Sequence, residues 1–180
     1  MGKVHESIDA ALRSWIERQH VVFVGTAATS SDATVNISPK GTAGTLAVLD
    51  GQRVAYLDLT GSGIETVAHL RENGRITLMW CAFEGPPRIV RVHGTGEVVT
   101  PDDPRWEELV QHFEERPGQR AIIVVTARRV SDSCGYSVPL MDFRSERTRL
   151  DEWAAKRSED DLAQYRATKN ATSIDGLPGL

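Results

Sequence analysis

Short runs in which apolar and polar residues alternate, interrupted by glycine, dominate this chain and predict strands rather than long helices. Residues 21–29 form a nearly continuous apolar run, as expected of a buried strand. Residues 35–41 (VNISPKG) alternate, which sets Asn36, Ser38 and Lys40 on the face opposite Val35, Ile37 and Pro39. Pro39 has no N–H for a ladder, so this strand is an edge or ends there. Residues 45–49 and 53–58 flank Asp50-Gly51, a pair suited to a tight hairpin turn. Residues 75–83 (RITLMWCAF) and 89–99 (IVRVHGTGEVV) predict two further strands joined by the turn at 84–87, with Gly94 and Gly96 marking a bulge or bend. A strand over 121–130 follows.

Helical spacing appears at four places. Ile8, Leu12, Trp15 and Ile16 share one face of an opening helix over residues 7–18. Ile64, Val67, Ala68 and Leu70 predict a short helix closed by Asn73-Gly74, and Asp103-Pro104 opens another beneath Trp106, Leu109, Val110 and Phe113. Leu150, Trp153, Leu162 and Tyr165 stripe a helical tail. The fold expected is mainly β, a six- to seven-stranded antiparallel barrel, closed or nearly so, with covering helices. Residues 1–133 would be the barrel domain, and 134–180 a tail packed on the barrel or on a partner, with 175–179 hooked over that partner.

Two segments carry the candidate chemistry. Residues 56–65 (YLDLTGSGIE) run from strand through Thr60-Gly61-Ser62-Gly63 into the helix, and Ser62 and Glu65 have the spacing of a capping box. A helix start offers free N–H groups and the positive end of the helix dipole, so it attracts anions. The turn is thus either an ordinary capped turn or half of an anion cradle. Lys40, with Asn36 and Ser38 on the same strand face, supplies the positive charge for the other half, unless that face is simply solvated.

Composition narrows the partners. The 180 residues suffice for one well-packed domain, and a net charge of −4 lacks the basic character of a nucleic-acid binder. Cys81 and Cys134 stand far apart, implying neither a disulfide framework nor zinc, and a reducing cytoplasm fits. No apolar run has membrane-spanning length. The five histidines form no metal-binding pair, no GxSxG elbow marks a hydrolase, and the glycines lack the GxGxxG spacing of a dinucleotide fold. Metal and nucleic acid are therefore not expected.

The order VNISPKG, Asp-Gly hairpin, YLDLTGSG leading into a helix, RENGRITLMW and IVRVHGTGEVV resembles the pyridoxamine 5'-phosphate oxidase-like family of FMN-binding split barrels over about residues 15–130. The residues after it (CGYSVPLMDF, a charged helix pair, SIDGLPGL) look like the tail of a branch of mostly unassigned activity. The resemblance implies a homodimer with FMN at its interface, a deazaflavin (F420) being the alternative, and oxidoreductase chemistry on a small acceptor. A non-catalytic split barrel that binds a flavin, deazaflavin or haem is the other reading. The resemblance implies cofactor contacts from Asn36, Ser38, Lys40, Thr60, Gly61 and Ser62, from Arg88 at the flavin ring, and from Tyr136 at a flavin edge. Where the family usually has an Arg-Lys pair gripping the phosphate, this chain has Glu65 and Thr66. Either Lys40 and Arg88 hold the phosphate, or the ligand differs.

Overall fold

The computed structural model describes residues 2–180. Its strands are β1 (Val4–His5), β2 (Val22–Ala27), β3 (Val35–Lys40), β4 (Leu46–Val48), β5 (Arg53–Leu59), β6 (Arg75–Cys81), β7 (Ile89–Val99) and β8 (Gln119–Ser133). The helices are α1 (Ala10–Glu17), α2 (Glu65–Asn73), α3 (Trp106–Leu109), α4 (Arg149–Ala155) and α5 (Glu159–Lys169), with a 3-10 turn at Val110–His112. All strand pairs are antiparallel, in the order β3-β2-β6-β7-β8-β5-β4. This curled antiparallel sheet with flanking helices agrees with the antiparallel barrel expected from the alternating pattern, and its split form with the family resemblance. The sequence reading missed β1, whose two residues pair with Val130 and Ser131 and are too few to leave a pattern.

Two strands do most to shape the barrel. β8 is 15 residues long and pairs with β1, β5 and β7, so it bends across both halves. The register against β7 slips between His93 and Gly94, where a Cβ on Gly94 would lie 2.2 Å from the Thr126 carbonyl oxygen. Only glycine permits that approach, and the bulge deepens the curl. Inside, Leu12 and Ile16 of α1 pack with Val24, Tyr56, Leu78, Trp80 and Ile123. Burying a side chain of this size contributes roughly 1.5–3 kcal/mol. A second cluster, with Leu57, Val99, Trp106, Leu109 and Ile122, seats α3.

α2 packs on β2 and β7 and ends at Gly74, whose φ of 69° is the left-handed conformation that stops a helix. Its start differs from the sequence expectation. The N-cap is Ile64 and no side chain caps it, so Ser62 and Glu65 do not form a capping box. A capping box forms instead at α5, between Ser158 and Asp161. Trp153 meets Tyr165 edge to face at 5.0 Å, joining α4 to α5. Beyond α5 the tail returns to its own barrel, where the Asp175 carboxylate accepts from the Thr34 amide at 3.0 Å and hydroxyl at 2.7 Å. Arg71 donates to the Gly179 carbonyl in the same region.

Candidate functional site

The polar row of β3 faces inward. Its apolar row faces out, leaving Val35 72% and Ile37 68% exposed. Strand alternation enforces this split, because Asn36, Ser38 and Lys40 cannot turn inward without Val35, Ile37 and Pro39 turning out. At the inner end a cavity of about 380 Å³ is lined by Ser38, Lys40, Asp58, Glu65, Thr66 and Arg120, among others.

Charge in this cavity is balanced by the chain itself. Lys40 Nζ donates to Asp58 Oδ1 at 2.9 Å, and Arg120 Nε donates to Asp58 Oδ2 at 2.7 Å. The Arg120 and Asp58 side chains are only 4% and 3% exposed. Burial alone would raise the Asp58 carboxyl, but the Lys40 and Arg120 cations outweigh it and hold the group below its ordinary value. Arg120 also donates to the Gly61 and Gly63 carbonyls at 3.2 and 2.8 Å and to Asn170 Oδ1 at 2.8 Å. Asn170 Nδ2 donates to the Gly61 carbonyl at 2.9 Å. The turn after β5 is thereby fastened from inside by β8 and from the tail by Asn170.

The start of α2 is occupied too. Glu65 Oε2 accepts from the Ile64 amide at 3.0 Å, and Glu65 Oε1 accepts from the Ile174 amide of the tail at 3.4 Å. Next to it, Asn36 Nδ2 donates to the hydroxyls of Thr26 and Thr66, both at 3.1 Å, while Ser38 donates to Asn36 Oδ1 at 3.0 Å. His69 Nδ1 lies 3.0 Å from the Thr26 hydroxyl. Tyr56 is fully buried, with no hydrogen-bond partner for its hydroxyl among the described residues. Burial, and then the nearby Asp58 charge, raise its pKa well above the usual phenol range.

Of the residues singled out from sequence, Ser38, Lys40 and Gly61 meet at this cavity. Asn36 and Ser62 line a shallower groove beside it, with Ile174. Thr60 is buried, its amide donating to the Gly118 carbonyl at 2.7 Å and its hydroxyl accepting from Arg166 at 3.3 Å. Arg88 is not brought to this site. Its guanidinium pairs with Asp132 at 2.8 Å and lies 5.2 Å from the Trp15 ring centroid, beside a separate cavity of about 1090 Å³ that also includes His20, Phe83 and Phe143. Tyr136 is 82% exposed and lines neither cavity. Sequence reasoning missed Asp58, Arg120 and Asn170. One signal was available: an Asp and an Arg each interrupt an apolar strand (YLDL, QRAIIVV), and buried charges of opposite sign tend to be partners.

The residues present do not fit a phosphate at the start of α2. Both cations on the cavity are already paired, and Glu65 takes the place that an anion would need.

Strand order and cavity together define an antiparallel split barrel with an internal polar cleft. The family model described as pyridoxamine 5'-phosphate oxidase matches residues 8–134, and the chain belongs to that family. It is 40% identical over 98% of its length to the pyridoxamine 5'-phosphate oxidase family protein ustO of Aspergillus flavus, covering 77% of that protein. Among solved structures it resembles Group A Streptococcus HupZ, with a TM-score of 0.55 and 21% identity, over 70% of this chain and 99% of the other. It also resembles a FAD-binding protein of Mesorhizobium loti, with a TM-score of 0.51 and 14% identity, over 73% and 96% of the two chains. These two likenesses are of fold. No helix among the described residues is long and apolar enough to cross a membrane.

Proposed function

We propose that the chain is a flavin-dependent oxidoreductase of the cytoplasm that works as a homodimer, with the flavin bound where the inner face of β3 meets the interface. The flavin would supply the redox chemistry, and the protein would orient it against a small acceptor. The observation that carries this reading is the polar row of β3 opening on the Lys40 cavity in a chain of this family. FMN is the form that family membership suggests, and the FAD-binding relative in fold adds the dinucleotide as a candidate. F420 is a further alternative. The outer face of β3 supports the homodimer: Val35 and Ile37 continue over Phe23 and Met79 as an exposed apolar groove of about 560 Å³. The tail would then cover each barrel from its own chain.

A second reading, a split barrel that binds its ligand without redox chemistry, is favoured by the internal pairing of Lys40 and Arg120. Absorbance of the purified protein tests the first reading. A yellow protein that releases a flavin on denaturation and is bleached by a reduced nicotinamide supports it. A colourless protein that no flavin reconstitutes overturns it, and bound flavin that a reduced nicotinamide does not bleach favours the second.

A further inference from the structure

We infer that this chain takes its flavin without a terminal phosphate, as riboflavin, because its own carboxylates fill the place an anion would occupy. The inference rests on the flavin reading above and narrows it. Helix starts attract anions because their first four amides lack partners, yet at α2 the first of these, that of Ile64, is already bonded to Glu65, whose other oxygen is held by the tail amide of Ile174. The tail is fixed in turn by Asp175 on Thr34 and by Asn170 on Arg120 and Gly61. The arrangement is built from three parts of the chain and is not a stray side-chain contact.

The rest of the cavity agrees. It holds two cations, Lys40 and Arg120, and two carboxylates, Asp58 and Glu65. Arg120 spends its donors on Asp58, Gly61, Gly63 and Asn170, and Lys40 spends one on Asp58. A phosphate dianion entering here must share Lys40 with Asp58 and lie beside Glu65, a like charge. Besides Lys40, which keeps two N–H donors beyond the one given to Asp58, the groups left for a ligand are neutral. Thr66 accepts from Asn36, and its hydroxyl lies close to that of Tyr56. Tyr56, buried and unpartnered, lines an adjoining cavity of about 400 Å³ that shares Lys40, Thr42 and Thr45 with the first. Such groups suit a polyol chain, the part of riboflavin that remains when the phosphate is absent.

The test is a fluorescence titration of the full-length chain with riboflavin, FMN and FAD under one set of conditions. Riboflavin is expected to bind at least about tenfold more tightly than FMN or FAD, a difference set by the Glu65 charge at the start of α2. Glu65→Gln keeps an acceptor but loses the charge, and should shrink the riboflavin-to-FMN ratio several-fold. FMN binding as tightly as riboflavin, or more tightly, to the wild-type chain overturns the inference and leaves the flavin reading standing. Failure of all three to bind removes the flavin reading and the inference with it. If Glu65→Gln does not fold, as its melting temperature would reveal, the wild-type ratio alone decides.

Discussion

The two faces of β3 differ in how completely the chain satisfies them. Inside, Asn36, Ser38 and Lys40 all have partners within the same chain, in Thr26, Thr66, Asn36 and Asp58. Outside, Val35 and Ile37 are apolar and bare. Polar groups brought inside must be hydrogen-bonded, and apolar groups left outside favour any surface that covers them. The contrast teaches that this strand's polar side finds its hydrogen bonds within the chain while still lining a cavity, whereas its apolar side has nothing over it in the single chain.

The strongest way to break the comparison lies on the inner side. Asp58→Ala leaves Lys40 and Arg120 without their shared counter-charge and should cost about 3–5 kcal/mol, measured by urea denaturation. A loss below about 1 kcal/mol would mean that the inner face is not held by that pair. On the outer side, Ile37→Glu should leave the stability of the isolated chain within about 0.5–1 kcal/mol while abolishing self-association in sedimentation velocity. If the variant stays as associated as the wild type, the outer face has no bearing on assembly.

A smaller effect sharpens the scale of the first. Asp132, bound by the Lys3 amide, Arg88 and His5, has its pKa lowered to about 2 from 3.8 despite partial burial. Between those values the unfolded chain binds the extra proton, so the stability contributed by Asp132 is complete above pH 4 and lost as pH falls toward 2. The loss should be about 1–2 kcal/mol. Asp132→Asn should flatten that part of an acid-unfolding curve, and an unchanged curve would remove Asp132 from the account.

Legibility in the sequence followed the range of the interactions. The hairpin at Asp50-Gly51 could be read because the turn is held by its own residues: the Asp50 carboxylate accepts from the Gln52 and Arg53 amides at 2.8 and 2.9 Å. Gly74 was legible for the same reason, since a helix stop is a property of one residue's backbone. The start of α2 was not. Ser62 and Glu65 have capping-box spacing, but Ile174, 109 positions along the chain, helps to decide where the Glu65 carboxylate goes. Strand alternation put Lys40 on the inner face of β3 with Asn36 and Ser38, yet its partner Asp58 depends on how the sheet curls, which no local pattern records. The neighbours of Arg88 were illegible for the same reason, because Asp132 and Trp15 reach it from β8 and α1.

The links Lys40 to Asp58, Asp58 to Arg120 and Arg120 to Asn170 span 18, 62 and 50 residues. Each closes a loop whose entropic cost must be met before the contact can form. The set is complete only when β3, β5, β8 and the end of α5 are all in place. It is therefore expected to form late in folding, and contacts made late act mainly on the rate of escape from the native state, so Asp58→Ala should speed unfolding more than it slows refolding in stopped-flow measurements. The cluster that neutralises the cleft thus also works as a latch in time, prolonging the life of the folded chain without hastening its formation.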